Sequence, residues 1–229
     1  MIDSAEAAAA RLAMDRDLLG RTSTAERVAA ILRERITEGV FEPGVRLSEE
    51  TIGTALGVSR NTLREAFRLL SHERLLVHQL NRGVFVRHLT AEDVVDLYRV
   101  RRLVECAAIR DAVPPSPEAL AALREALVAA EGAVAEERWQ DVGTGNMRFH
   151  QAVVALAGSG RLDEMMRQVL AELRLTFLAM KNPRAFHEPY IARNHEILKL
   201  IEAGDAPGAE RLLDDYLADA EAQLLRAHS

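Results

Sequence analysis

The sequence predicts a mainly α-helical protein made of two unlike parts. Short helices and a small β-hairpin come first, and a bundle of longer antiparallel helices follows. Three observations carry this prediction. Ala, Leu, Arg and Glu dominate the 229 residues while aromatic residues make up only 4%, a mixture that favours helices. Apolar residues recur at spacings of three and four almost throughout, but alternate in LLVHQ and VFVRH, between residues 75 and 88. Glycine and proline breakers divide the chain into short pieces before residue 90 and long ones after it.

The elements follow in order. Residues 1–22 form an alanine-rich arm to which no role is assigned. A first helix is expected from Thr24 to Glu38, with Val28, Ile31, Leu32 and Ile36 as its apolar stripe and Gly39 as its stop. VFEPGVRL reads as a turn around Pro43 and Gly44. Ser48 caps a second helix, Glu49 to Leu56, whose acidic first turn suits the helix dipole. Gly57 ends it and Ser59 caps the third. The alternating segments then form a hairpin around Leu80-Asn81-Arg82-Gly83. Thr90 caps the first of six long helices, at 91–112, 117–138, 141–157, 160–181, 187–203 and 206–226. Short connections between them imply antiparallel packing.

Composition narrows the function. The formal net charge of -6 is unevenly spread: residues 21–90 hold 11 Arg against 8 Glu, whereas residues 91–229 hold 16 basic and 23 acidic side chains. A mildly basic module is joined to an acidic one, the asymmetry expected of a nucleic-acid binder with a separate partner domain. Cys106 is the only cysteine, which excludes an intrachain disulfide or a cysteine zinc cluster; within LVECAAI it reads as a core thiol. No apolar run approaches the length of a membrane span, and the N-terminus lacks the charge and apolar core of a secretory signal, so no membrane association and a cytoplasmic location are expected.

The richest stretch is GVSRNTLREAFRLL, residues 57–70. Arg60, Arg64 and Arg68 are four apart and share one helix face, while Leu63, Ala66, Phe67 and Leu70 fall opposite. A solvated surface helix would explain the arginines alone. The ordered set of capped helix, turn, capped arginine helix and glycine-tipped hairpin points instead to a winged helix-turn-helix over residues 23–89. Arg60, Asn61, Thr62 and Arg64, in its first turns, are placed to meet bases, and Arg68 the backbone. Arg46 and Arg82 are further phosphate candidates, and Gly83 at the wing tip would allow close approach to a groove. One such module binds weakly, so a homodimer on double-stranded operator DNA is expected.

Residues 26–88 resemble the GntR family of bacterial transcription regulators, through ERVAAILRERITEGVFEPGVRLSEE, ALGVSRNTLREAFRLL and the wing NRGVFV. Two departures stand out. Glu50 occupies a slot where the family usually has a DNA-contacting arginine, and Arg74 replaces the usual glycine before the wing. Residues 90–229 are similar to the all-helical effector domain of the FadR subfamily, called FCD, through LYRVRRLVECAAIR, NMRFHQAVVALAGSGRL and NHEILKLIEAGDAPGAERLLDDYL. The resemblance implies a pocket inside the bundle for a small effector, often a carboxylic acid, and in many members a divalent metal held by an Asp or Asn and three histidines.

Carried over residue by residue, that metal pattern falls on Asn146, His150, Asn194 and Tyr216. Asn146 and His150 are thus the weak metal candidates. His195 neighbours the third slot, but one residue of helix turns a side chain by about 100°. One imidazole, two amides and a neutral phenol make a poor metal set, so weak binding of a divalent metal or none is expected, and the four groups are assigned to the effector. Arg101 matches the family's inward arginine and suits a carboxylate, with a salt bridge to Glu105 as the plain alternative. Trp139 and Phe149 are assigned to packing. The expected function is a ligand-responsive repressor. A metal-responsive regulator and a helical metalloenzyme using His150 and His195 are the rival readings; the latter lacks any nucleophile-base pair or phosphate loop.

Overall fold

The computed structural model describes residues 23–111 and 114–227; the arm at 1–22 and the end of the helix expected at 91–112 lie outside them. The head comprises α1 (Thr24–Thr37), β1 (Arg46–Leu47), α2 (Glu49–Leu56), α3 (Arg60–His72), β2 (Leu76–Gln79) and β3 (Gly83–Val86). The bundle comprises α4 (Ala91–Asp111), α5 (Pro117–Ala135), α6 (Trp139–Ala155), α7 (Gly160–Leu178), α8 (Pro183–Glu202) and α9 (Ala206–Ala227). No described helix is long and apolar enough to cross a membrane.

Side chains start most of the helices. Ser23 and Glu26 form a reciprocal capping box on α1, and Thr90 and Asp93 do the same at α4. Ser48, Ser59, Ser116 and Ser159 each accept a backbone N–H in the first turn that follows. On α1 the buried stripe is Ala25, Val28, Ala29, Leu32 and Ile36; Ile31, expected within it, is 43% exposed at its edge.

The turn expected at VFEPGVRL hides a strand. Arg46 and Leu47 pair antiparallel with Phe85 and Val84, giving a three-stranded sheet in the order β1-β3-β2. Two residues are too few for alternation to register in a sequence. Arg74 adopts φ +58°, which explains why glycine is usual there: the chain must pass through the left-handed region between α3 and the wing.

Four helix ends move. Glu137 takes φ +56°, so α5 stops at Ala135 and α6 begins at Trp139 rather than 141. α7 ends three residues early, at Leu178. Asn182 is itself the cap of α8, accepting the Ala185 N–H with Pro183 at the first helical position, so that helix starts four residues before the expected 187. It also contains Pro189, which cannot bond the Ala185 carbonyl; Gln223 of α9 donates its amide to that oxygen at 3.2 Å.

Head and bundle share one apolar core, running from Val28, Phe67 and Leu75 to Phe149, Leu173 and Leu213. α7 makes the joint. Arg174, 5% exposed, donates through Nε to the Thr37 carbonyl at the end of α1 (3.0 Å) and through Nη1 to Gln140 in the first turn of α6 (3.1 Å). Arg87, just after β3, donates to Glu172 at 2.8 Å and pairs with Asp93. Beside Arg174 lies His187, 1% exposed, edge-on to Phe177 and Phe186. Burial, and then the Arg174 charge, lower its pKa to about 4.

Two outcomes follow. A Cβ on Gly145 would lie 2.8–3.0 Å from Ala130, including its backbone, because α5 and α6 pack tightly there; Gly132 of α5 has nothing within 4 Å. Gly145→Ala is expected to lose about 1–3 kcal/mol in urea unfolding despite its better helix propensity, whereas Gly132→Ala gains about 0.5–1. For His187 the folded pKa lies below the unfolded value of about 6.5, so its contribution is fully present above that pH. It is lost as pH falls towards 4, about 3 kcal/mol in all. Unfolding free energies measured from pH 7 to 4 should fall with this slope in the wild type and more shallowly in His187→Leu.

Candidate DNA-binding face and effector site

Ser59 holds the start of α3, accepting the Thr62 N–H at 3.2 Å, while the two hydroxyls share a hydrogen bond of 2.8 Å. Thr62 is therefore half-buried in the cap itself. Leu63, Ala66 and Leu70 are fully buried and Phe67 nearly so, which turns Arg60, Asn61, Arg64 and Arg68 to solvent. Arg64 pairs with Glu49 at 3.0 Å and Arg68 with Glu65 at 3.0 Å. These arginines are 63% and 80% exposed, so the pairs are weak and readily exchanged for phosphates. Glu50 is exposed beside them, on α2.

At the wing, Gly83 directly follows the turn. This residue opens β3 at φ +105°, and a Cβ there would lie 3.0 Å from Nε of Arg46. The close approach that glycine permits is made by the protein's own guanidinium across the β1–β3 pair. The tip is residues 80–82: Leu80 is 81% exposed, Asn81 takes φ +58°, and the Arg82 guanidinium lies 5.8 Å from the centre of the Phe85 ring.

Inside the bundle, the five residues assigned to an effector converge from four helices. Arg101 of α4, 2% exposed, donates Nε to Glu105 at 2.7 Å, so the salt bridge forms one turn along the same helix. The other Glu105 oxygen lies 2.6 Å from Nδ1 of His150 on α6. Asn146, one turn before His150, accepts from Asn194 Nδ2 of α8 at 2.6 Å and from the Tyr216 hydroxyl of α9 at 2.9 Å. Tyr216 also meets His150 edge-on at 5.0 Å, and Arg101 stacks 4.9 Å over Tyr98.

Electrostatics fix the protonation pattern. Burial alone would raise the Glu105 carboxyl, but Arg101 and then His150 outweigh it and hold Glu105 below the usual carboxylate range. Burial lowers His150 more than Glu105 raises it, so the ring is neutral. Its Nδ1–H donates to the Glu105 carboxylate and Nε2 is left as an acceptor. Burial pushes the Tyr216 phenol up and keeps it a donor. Three buried atoms then lack partners: Arg101 Nη2, a donor, and His150 Nε2 and Asn194 Oδ1, both acceptors.

This donor set suits a divalent ion poorly. His150 alone has a ligand's posture, with one nitrogen on a carboxylate and the other free. The Asn146 oxygen is already taken by two donors, and Glu105 is committed to Arg101 and His150. His195 is exposed and pairs with Glu131 at 2.8 Å, turned away as helical geometry requires. The described residues hold no cluster of three or more His, Cys, Asp or Glu fit for a metal. Phe149 is fully buried packing, and the Cys106 thiol is pushed up to about 12 by burial, an inert group.

Sequence reasoning missed the Glu105–His150 contact and the joint at Glu172 and Arg174. The second had a visible signal. Within LAELRLTFL, two charges interrupt an otherwise apolar run, and charges on a helix buried all round must find partners.

Comparison with known proteins agrees with this arrangement. Residues 24–86 match the gntR family of bacterial regulatory proteins, and residues 96–219 match the FCD domain. A solved structure of a GntR transcriptional regulator from Rhodococcus sp. RHA1 covers 91% of this chain and 100% of its own, with 50% identity and a TM-score of 0.86. An uncharacterized HTH-type transcriptional regulator of Bacillus subtilis is 30% identical over 140 residues, 60% of this chain and 62% of that protein, so less than two thirds of that relative's length is spanned. The gluconate operon transcriptional repressor of the same species is 42% identical over 88 residues, 38% of this chain and 35% of its own. These relatives are transcription regulators rather than enzymes, and the chain belongs with them: it is a member of the GntR family, a DNA-binding head joined to an FCD effector domain.

Proposed function

We propose that this regulator is a repressor that binds a near-palindromic operator as a homodimer and is controlled by a small organic acid held in the polar nest of the bundle. The recognition helix α3 carries the DNA reading. Its apolar back is sealed in the head while Arg60, Asn61, Arg64 and Arg68 face outward, held at most by weak surface pairs. Repression is named in a relative's function, the gluconate operon repressor. A dimer follows from the small footprint of one head.

The nest supports the effector reading through its unpaired atoms. Arg101 Nη2 asks for an acceptor, and His150 Nε2 and Asn194 Oδ1 ask for donors. A carboxylate bearing hydroxyl groups supplies both. Arg101 is already neutralised by Glu105, so recognition rests on hydrogen bonds rather than on net charge. The posture of His150 leaves a metal-responsive regulator as the second reading.

Fluorescence anisotropy on operators selected from random DNA tests the first part. Arg60→Ala should cost about 1–3 kcal/mol and flatten preference at one base position. Arg68→Ala should weaken all sequences alike and reduce the salt slope by about one. Absence of any sequence preference at moderate salt, with or without organic acids, would sink the proposal. For the effector, a thermal-shift screen of small hydroxy and dicarboxylic acids should give a hit that raises the melting temperature. Tyr216→Phe and Asn194→Ala should each weaken that hit by roughly tenfold, about 1.4 kcal/mol, while sparing DNA binding without acid. Protein purified without chelator should carry substoichiometric metal; a full equivalent per chain would favour the metal-responsive reading.

A further inference from the structure

A cavity of about 510 Å³ lies where head and bundle meet, apart from the polar nest. Pro43, His88 and Leu89 line it from the head and its connection, and Leu175, Thr176 and Met180 from the end of α7. Phe186 and Ala185 of α8, with Gln223 and Leu224 of α9, complete it, and its volume is in the range of small-molecule sites.

Its chemistry differs from that of the nest. The walls are mainly apolar, built on Leu89, Leu175, Met180 and Phe186. Its polar lining is His88, Thr176, Lys181, Asn182 and Gln223. Lys181 is exposed there, with no acidic partner among the described ion pairs. The α8 N-terminus, capped by Asn182, adds the positive end of a 20-residue helix dipole. Thr176 stands in the wall, only 6% exposed, and its hydroxyl has no hydrogen-bonding partner. Gln223 is already committed to Tyr190 and to the Ala185 carbonyl.

We infer that the joint cavity is a second ligand site, for a monocarboxylate with an apolar aromatic or alkyl body. The carboxylate sits by Lys181 and the start of α8, the apolar body lies between Leu89 and Phe186, and Thr176 supplies a hydrogen bond. Because such a ligand touches Leu89 as well as α7 and α8, its affinity depends on how the head sits on the bundle. It therefore shifts that equilibrium without entering the nest.

Calorimetric titration of the full-length protein tests this with phenylacetate and hexanoate, each against its uncharged alcohol. Both acids should bind saturably and at least fivefold more tightly than 2-phenylethanol or 1-hexanol. Lys181→Glu should weaken the acids by roughly tenfold and leave the alcohols unchanged. Ala179→Trp, an exposed position lining the cavity, should abolish binding of both while circular dichroism and the melting temperature stay near wild type. Tyr216→Phe in the nest should leave acid binding intact, which separates this site from the effector site proposed above. The inference is overturned by alcohols that bind as well as acids, or by acid binding unmoved in Lys181→Glu and Ala179→Trp. It is equally overturned by acid binding lost in Tyr216→Phe, or by no saturable binding below about 10 mM.

Discussion

The bundle is organised around one buried charge. Arg101 is 2% exposed, and a guanidinium cannot shed its proton to escape the cost of burial. Something must carry a negative charge beside it, and Glu105, one helical turn away and fully buried, is that group. Once ionised, Glu105 has a second oxygen to satisfy, and His150 Nδ1–H satisfies it. This fixes the imidazole's tautomer, makes Nε2 an acceptor, and presents the ring edge to Tyr216. Tyr216 and Asn194 then meet on Asn146. α4, α6, α8 and α9 are thereby tied through polar contacts at one depth in the bundle. Such a network stabilises little in net terms, since desolvation offsets most of the attraction. Removing any one charge, however, strands the other, so the arrangement is over-determined.

α7 contributes nothing to that nest and makes the other connection. Arg174 bonds the carbonyls of Thr37 and Gln140 with one guanidinium, joining the last turn of α1 to the first turn of α6. α6 is the helix that carries Asn146 and His150. Glu172 reaches the head by a different route, through Arg87 at the end of the wing. Thr176 faces the joint cavity. α6 is thus linked to the head through Arg174, and α7 is linked to it a second time through Glu172 and Arg87. The packed core between them favours discrete rearrangement over gradual deformation.

Much of this was legible in the sequence, and the reasons differ by part. The head could be read element by element because each signal was local: serine caps, Gly57 and an arginine stripe opposite a leucine stripe. β1 was missed because two residues show no period. The contact between Gly83 and Arg46 is not legible in the sequence, because the two are far apart along the chain and meet only through strand pairing. In the bundle, resemblance placed Asn146, His150, Asn194 and Tyr216 together, and helical geometry correctly turned His195 away. Composition alone could not have found them, since each residue lies on a different turn or helix. Asn182-Pro183 reads in the sequence as a break, yet it is the start signal of α8 itself, which is why that boundary moves. Pro189 then sits inside the helix at little cost, since Gln223 occupies the carbonyl it frees.

The family's usual metal would solve the nest's electrostatics differently. A divalent ion brings two positive charges and would need carboxylate or further imidazole ligands to offset them. Here the charge is balanced already, +1 on Arg101 against -1 on Glu105, with His150 neutral. Where histidines would stand in the family pattern, Asn194 and Tyr216 are hydrogen-bonded to Asn146 and carry no charge. The nest is therefore electrically closed, and what remains open in it is hydrogen-bonding capacity: one donor and two acceptors. A divalent cation gains little from such a site, while an organic ligand with matching acceptors and donors gains by satisfying buried polar atoms. Selectivity for the proposed effector would then rest on its pattern of donors and acceptors, a finer filter than charge.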